Sequence, residues 1–139
     1  MTVAEREGFL AGLHVGVLAV ERDGEAPMAA PVWYRYAPGG DVELVTSSES
    51  VKAALLGVAG RASLCVQDER PPYRYVTVSG PVTLSPAAAA DIVDLAVRYL
   101  GEAQGPAYAA TLDGIDDTLV RLTPERWFTS DFSKLDTSG

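Results

Sequence analysis

Lysine, histidine and cysteine are all scarce in this sequence. Of 139 residues, only Lys52 and Lys134 are lysines, His14 is the single histidine and Cys65 the single cysteine. One cysteine excludes an intrachain disulfide, and no cluster of cysteine and histidine has the spacing of a metal site. The chain also lacks a GxGxxG, P-loop or HExxH motif, so the common signatures of dinucleotide, nucleotide and zinc-protease chemistry are absent.

Positive charge is also in short supply. The chain has 11 lysine and arginine residues against 19 aspartate and glutamate residues, a formal net charge of −8 and a pI of about 4.5. Nucleic acids and anionic membranes bind basic surfaces, so we expect neither as a partner. The segment MTVAEREGFL has no apolar run long enough for a signal peptide or a membrane span. We therefore expect a cytoplasmic protein, whose charge still allows a small anionic ligand at one local basic position.

Apolar residues are abundant, at 47% of the chain, which is enough to form a core. No internal repeat or low-complexity linker divides the sequence, so we predict one domain over 1–139. Strands are predicted in HVGVLAVER, MAAPVWYRY, VELVTS, RASLCVQDE, YRYVTVSGPVTLS and, with an aromatic tail, DDTLVRLTPERWFTSDF. The turn segments DGEAP and APGGD join the first three strands, which indicates an antiparallel meander.

Helices are predicted between and beside these strands. In segment 51–59, one apolar stripe at helical spacing consists of Val51, Ala54, Leu55, Val58 and Ala59. Ser47 or Ser48 can cap this helix, and Gly60 can end it. Further helices are predicted in TVAEREGFLAGL, AAAADIVDLAVRYL and AYAATL. Strand-turn-strand contacts dominate over a βαβ pattern, so we predict an antiparallel barrel with peripheral helices, in the α+β class.

Lys52 lies in the first turn of the helix predicted at 51–59. A cation there is unfavourable by roughly 0.3–1 kcal/mol at an exposed site, because the helix start carries partial positive charge. A bound anion would remove this cost, since free backbone N–H groups and several side chains would converge on it. Those side chains are Thr46, Ser47, Ser48, Ser50 and Lys52. The pattern predicts a phosphate site; the alternative is a solvated lysine beside an ordinary serine cap.

Other polar residues give little support for catalysis by side chains. His14 lies at the start of the first strand, where a structural role is the simpler interpretation. The acidic pairs Asp68–Glu69 and Asp116–Asp117 lie at strand edges, where solvated charge is the ordinary explanation. We therefore expect that any chemistry comes from a bound cofactor.

Several segments carry a family resemblance. They are VGVLAV, APVWYRY, VTSSESVKAALL, SLCVQDERPPYRYVTVSGPVTL, RYLG and TLVRLTPERWFTSDF, and together they span about 10–132. In these segments and in the order of its elements, the chain resembles the pyridoxamine 5'-phosphate oxidase-like split β-barrel superfamily, especially its small flavin- or deazaflavin-dependent members. The resemblance implies a six-stranded antiparallel split β-barrel that forms a homodimer with two cofactor sites between its subunits.

The resemblance also implies the cofactor and its contacts. FMN or the deazaflavin coenzyme F-420 would lie with its ring along the PVWY strand. The residues that match the family pattern are Pro31, Val32 and Trp33 for the ring and Thr46, Ser50 and Lys52 for the phosphate. Tyr73, Arg74 and Tyr75 match a segment that approaches the dimer interface in relatives, and Trp127 matches a C-terminal strand region near the site.

One departure from the family pattern follows Lys52. Cofactor-binding relatives often carry an asparagine and further basic residues along this helix, whereas here the sequence continues AALLG. The polyglutamate tail of F-420 would therefore meet few cations.

Two functional hypotheses follow from the resemblance and the predicted phosphate site. The first is a flavin- or deazaflavin-dependent oxidoreductase that transfers hydride to or from a small conjugated or heteroaromatic substrate. The second is a homodimer without turnover that binds or carries a flavin, haem or similar planar ligand.

Overall fold

The computed structural model describes residues 1–112 and 116–134 of the chain. Antiparallel strands dominate this part, and helices lie between them, so the α+β class with mainly β structure is confirmed. In chain order the elements are α1 (Val3–Ala11), β1 (Gly16–Arg22), β2 (Glu25–Val32), β3 (Val42–Ser47), α2 (Val51–Ala59), β4 (Arg61–Asp68), β5 (Arg74–Pro86), α3 (Ala89–Ala110), β6 (Asp117–Leu122) and β7 (Arg126–Asp131). No helix within the described ranges is long and apolar enough to cross a membrane.

The described strands form one sheet of seven strands that is not closed, rather than the six-stranded barrel predicted. The order is β2-β1-β4-β5-β6-β3, and β7 pairs with β5 beside this path. The long strand β5 pairs with β4 and β7 along its first part and with β6 along its second part.

The additional strand arises because β6 and β7 pair with successive parts of β5, on either side of Gly80. The Thr123 N–H donates to the Pro81 carbonyl and the Glu125 N–H to the Ser79 carbonyl, so the segment between β6 and β7 runs beside β5. A Cβ atom at Gly80 would clash with the Thr123 carbonyl oxygen, so this close approach requires glycine. The predicted aromatic tail is thereby separated from β6 and becomes β7.

The predicted three-strand meander is wrong at its third strand. β1 pairs with β2, but β3 pairs with β6 over its whole length. β2 ends at Val32, and only an isolated bridge between Arg35 and Glu43 joins the next segment to β3. The reason lies at Tyr34, whose backbone N–H donates to the Tyr99 hydroxyl and whose carbonyl accepts from Arg98, so its main chain bonds to α3 instead of to a strand.

The core fills the inner face of the sheet with alternating aliphatic side chains, as the period-two patterns predict. Its fully buried members include Leu18, Leu44, Leu64, Val76, Val78, Val120 and Leu122. α1 is held beside this core by Leu10, whose carbonyl accepts a hydrogen bond of 2.6 Å from the buried Tyr34 hydroxyl.

Helix α2 begins and packs differently from the prediction. Its cap is Ser50, whose hydroxyl accepts from the Ala53 N–H at 3.1 Å, rather than Ser47 or Ser48. Its buried residues are Ala53 and Leu56, whereas Val51 and Val58 of the predicted apolar stripe are 67% and 89% exposed. Leu55 and Ala59 of the predicted stripe do pack against the core. The helix is therefore confirmed, and its inner face was predicted only in part.

Helix α3 joins the two helices predicted after β5 into one interrupted element. The interruption is Gly101, whose φ of 88° is open to glycine but costly for other residues. Beyond it the chain packs back on the first half, and a Cβ at Gly105 would lie 2.6 Å from the Val97 nitrogen. This close return brings the second half of α3 to the end of β2.

Candidate functional site

A cavity of about 460 Å³ lies between the end of β2, the end of β3, the start of α2 and the second half of α3. It gathers six of the residues predicted from the sequence: Pro31, Val32, Trp33, Thr46, Ser47 and Lys52. Val15, Val45 and Tyr108 complete its lining. The sheet explains this gathering, because β2 is a terminal strand and β3 leads within four residues into α2.

The hydroxyl groups around the helix start are partly committed to the fold. The Thr46 hydroxyl, in a residue only 7% exposed, lies 3.0 Å from that of Ser50, which also accepts from the Ala53 N–H. Ser50 therefore reaches the cavity only through Thr46. The N–H groups of Val51 and Lys52 have no acceptor among the described residues and remain open to a ligand.

Lys52 is half-buried in this cavity, and its ammonium group forms no ion pair or hydrogen bond within residues 1–112 and 116–134. Other basic side chains nearby are committed. Arg35, for example, contacts Glu43 at 3.1 Å, Asp91 at 2.7 Å and Asp94 at 3.3 Å. An ammonium group beside open helix N–H groups can bind a phosphate or carboxylate.

Trp33 is held in place by helix α3. Its ring stacks on Tyr99 with centroids 4.9 Å apart and planes 6° apart, and Tyr108 lies 5.8 Å away at 54°. The Tyr99 hydroxyl in turn donates to the His14 carbonyl at 2.6 Å. One face of the indole is thereby covered, and its orientation is fixed before any ligand binds.

Arg98, the residue before Tyr99 in α3, holds the backbone beside Trp33 in place. Its guanidinium donates to the carbonyls of Tyr34 at 3.1 Å, Ala11 at 3.1 Å and Gly12 at 2.7 Å. Neither Arg98 nor Tyr99 was predicted to contribute to the site. Both residues belong to the RYLG segment that carries part of the family resemblance, and Arg98 is the one basic residue of α3.

A smaller recess of about 160 Å³ adjoins the cavity on the side of α3. The two share Trp33, Val45, Thr46, Ser47 and Tyr108. The recess adds aliphatic walls from α3 and the carboxylate of Asp117 at the start of β6. Burial, and secondarily the neighbouring charge of Asp116, raise the pKa of Asp117 above its ordinary value.

The remaining predicted site residues lie elsewhere on the chain. Tyr73, Arg74, Tyr75 and Trp127 do not line the cavity that contains Lys52. Arg74 pairs with Asp68 at 3.2 Å and lines a different cavity beside α1, of about 360 Å³. Trp127 packs against the core, with the Arg6 guanidinium 4.6 Å from its ring centroid. Within one chain, the structure therefore brings together the predicted ring and phosphate residues but not this second group.

The outer face of the sheet presents an uncovered row of small and apolar side chains. Val17, Cys65, Thr77 and Phe128 lie directly opposite one another across β1, β4, β5 and β7. Val17 is 43% and Phe128 66% exposed, and Tyr75 lies 6.0 Å from Phe128.

The residues present fit a cofactor with a planar ring and an anionic tail. The Lys52 ammonium and the open N–H groups of α2 suit the anion, and Trp33 offers a fixed aromatic wall. β2 is a terminal strand, so part of its backbone faces away from β1 and can hydrogen-bond a ring edge. The cavity volume of about 460 Å³ lies within the range of roughly 300–1,000 Å³ for ligand sites.

Solved structures with the same fold are found for nearly the whole chain. A conserved hypothetical protein of Mycobacterium tuberculosis is 24% identical, with a TM-score of 0.80, over 98% of this chain and 88% of that one. A protein described as an F-420 reductase is also 24% identical, with a TM-score of 0.73, over 88% and 94% of the two chains. A candidate pyridoxamine 5'-phosphate oxidase of Listeria innocua is 14% identical, with a TM-score of 0.65, over 91% and 96%.

Proteins with other described ligands share this fold. One is a FAD-binding protein of Mesorhizobium loti, 17% identical with a TM-score of 0.67 over 93% and 94% of the chains. Another is a haem storage protein of Vibrio cholerae, 18% identical with a TM-score of 0.68 over 92% and 94%. No protein-family model matches the chain, and neither does any curated protein. These likenesses, all at 24% identity or less, show that the chain has the fold of these proteins.

Proposed function

We propose that this protein is a flavin- or deazaflavin-dependent oxidoreductase that acts on a small conjugated or heteroaromatic substrate. The observation that carries the proposal is the position of Lys52, a cation that has no ion-pair partner among the described residues and lies at a helix start in the same cavity as Trp33. Lys52 is half-buried and has no ion-pair partner among the described residues, so its ammonium group is available to an anionic ligand. The F-420 reductase and FAD-binding proteins that share the fold support a flavin-type cofactor.

The chain's own residues would position the cofactor and shield it. Lys52 and the N–H groups of Val51 and Lys52 would bind the anionic tail, and Trp33, fixed by Tyr99, would form one wall of the ring site. The bound ring would supply the hydride chemistry. No side-chain acid or base is required, so the contribution of the protein is orientation and exclusion of water.

The proposal includes a homodimer formed through the outer face of the sheet. The row from Val17 to Phe128 is uncharged and mostly apolar, which suits a second copy of the same surface. Tyr73, Arg74 and Tyr75 would contribute to a cofactor site only across such an interface, because they do not line the Lys52 cavity.

Phe128→Glu should therefore give a monomer in light scattering, whereas Val58→Glu, at an exposed apolar position on α2, should not. An unchanged mass for Phe128→Glu would reject this interface.

A titration with FMN and with F-420 tests cofactor binding. We expect quenching of tryptophan fluorescence at micromolar concentrations, and Lys52→Ala should weaken binding about tenfold or more, since hydrogen bonds to charged groups contribute about 1.5–3 kcal/mol. Arg61→Ala is the matched control, because Arg61 follows the other end of α2 and pairs with Glu125 at 2.8 Å. Failure of both cofactors to bind, or equal affinity for Lys52→Ala, would reject the proposed site.

A second function, carriage of a flavin or haem without turnover, is favoured by one observation. Helix α2 continues from Lys52 with AALLG and offers no further cation for a long anionic tail. The haem storage protein with the same fold is consistent with this alternative. Tight cofactor binding with no oxidation of the reduced cofactor across a panel of conjugated substrates would favour the carrier, and substrate-dependent oxidation would favour the enzyme.

A further inference from the structure

Asp117 occupies an unusual position for a carboxylate. It begins β6, pairs in the ladder with Ser47, and lines the recess whose other walls include Ile92, Leu95 and Tyr108. Its side chain has no hydrogen bond or ion pair within the described ranges of the chain. A partly buried carboxylate among aliphatic and aromatic side chains is costly unless a ligand compensates it.

The other acidic side chains around α3 do have charged partners. Asp91 and Asp94 both contact Arg35, and Glu43 contacts Arg35 at 3.1 Å and Arg121 at 2.7 Å. The arginines of this region are thus already engaged, and none of them lines the recess. Within residues 1–112 and 116–134, Asp117 therefore has no charged partner, and its carboxylate is available to a ligand.

The size and walls of the recess restrict what that group can belong to. Its volume of about 160 Å³ is close to that of an engineered cavity of about 150 Å³ that binds benzene. Trp33 and Tyr108 line the same recess as Asp117, and aromatic rings can stabilise a cation through their faces. A single ring that carries a positively charged nitrogen satisfies the volume, the aromatic walls and the carboxylate together.

We infer that this recess is the substrate subsite and that the substrate is a one-ring molecule whose protonated nitrogen pairs with Asp117. This role rests on the proposed function, since the recess adjoins the cavity of Lys52 and shares Trp33 and Tyr108 with it. Lys52 binds the anionic part of the cofactor, and Asp117 binds the cationic part of the substrate. The opposite charges of Lys52 and Asp117 thereby distinguish the cofactor end of the site from the substrate end.

Isothermal titration of the full chain with benzylammonium, without cofactor, tests the inference. We expect binding to the wild-type protein and to Asp116→Asn, and at least tenfold weaker binding to Asp117→Asn. Asp116→Asn is the matched control because Asp116 is the exposed neighbour and does not line the recess. Benzyl alcohol and benzoate, of similar size, should bind at least tenfold more weakly than benzylammonium. Equal affinity of wild type and Asp117→Asn, or equal affinity for the alcohol, would overturn the inference.

A parallel titration with FMN and F-420 separates this inference from the proposed function. Cofactor affinity should be the same in the wild type and Asp117→Asn, because Asp117 does not line the Lys52 cavity. Cofactor binding without Asp117-dependent binding of benzylammonium overturns the inference alone. Binding of benzylammonium that depends on Asp117, with no cofactor binding, overturns the proposed function and leaves a site for cationic rings. A melting curve for each variant shows whether the variant is folded.

Discussion

The charged side chains around two cavities of this protein are arranged in opposite ways. In the cavity beside α1, the charges satisfy one another: Arg74 contacts Asp68 at 3.2 Å, and Glu5 accepts from Lys134 at 2.8 Å and from the Thr2 N–H at 2.9 Å. In the cavity and recess beside Trp33, Lys52 and Asp117 have no such partners within the described residues.

The two carboxylates show what this difference means energetically. Lys134, together with the groups of Thr2, lowers the pKa of Glu5 to about 2, so the folded state favours its charge. Burial raises the pKa of Asp117, so the folded state disfavours its charge. The first arrangement stabilises the fold, whereas the second leaves charges available to a ligand at some cost to stability.

Arg98 gives the largest expected effect, because it connects the two regions. It donates to the carbonyls of Ala11 and Gly12, next to the α1 cavity, and to that of Tyr34, next to Trp33. Arg98→Ala removes all three hydrogen bonds, although the Tyr34 carbonyl keeps the Tyr99 hydroxyl as a donor at 3.0 Å, and it should lower the free energy of unfolding by about 2–4 kcal/mol. Urea denaturation would measure it. Arg98→Lys keeps the charge but cannot make all three hydrogen bonds, so its free energy of unfolding should lie between those of the wild type and Arg98→Ala. A loss below about 0.5 kcal/mol for Arg98→Ala would mean that the two regions are held independently.

Arg98 also illustrates what the sequence could not predict. Its hydrogen bonds, and that of Tyr99 to His14, join positions more than sixty residues apart in the chain. Periodicity reports which side of a helix is apolar, but the choice of a distant backbone carbonyl depends on how the elements pack. For the same reason the pairing of β3 with β6 was missed, although both strands were predicted.

The predicted phosphate residues met in one cavity because they are close in sequence. Thr46, Ser47 and Lys52 occupy one strand end and the helix that follows it, so their proximity needs only those two elements. Asp116 and Asp117 mark the limit of this reasoning. They were interpreted as one solvated acidic pair, yet alternation along the chain exposes Asp116 and turns Asp117 into the recess.

Alanine variants of Arg74 and Lys52 compare the paired cation of one cavity with the cation of the other. Arg74→Ala should lower the free energy of unfolding by about 1 kcal/mol, through loss of the Asp68 ion pair and of the guanidinium 5.0 Å from the Phe9 ring centroid. Lys52→Ala should lower it by less than about 0.5 kcal/mol, since no partner in the described chain is lost. Denaturation of both variants at one protein concentration would compare them. A larger loss for Lys52→Ala would show that this lysine stabilises the fold and is not reserved for a ligand.

The smallest expected effects on stability are those of removing the carboxylates of Glu5 and Asp117, and these two effects differ in sign. Glu5, with an ordinary pKa of 4.5 lowered to about 2, contributes stability that is present above pH 4.5 and is lost as the pH falls to about 2. Glu5→Gln should therefore be less stable than the wild type at pH 7, and the difference should shrink towards pH 2.

The pKa of Asp117 is raised above 3.8, so the wild type loses stability as the pH rises through that raised pKa. Asp117→Asn should accordingly be slightly more stable than the wild type at pH 7 and equal to it below pH 3.8. Melting temperatures of the three proteins between pH 2 and pH 7, without ligand, would measure both trends, and shifts of the same sign at neutral pH would remove the distinction between the two cavities.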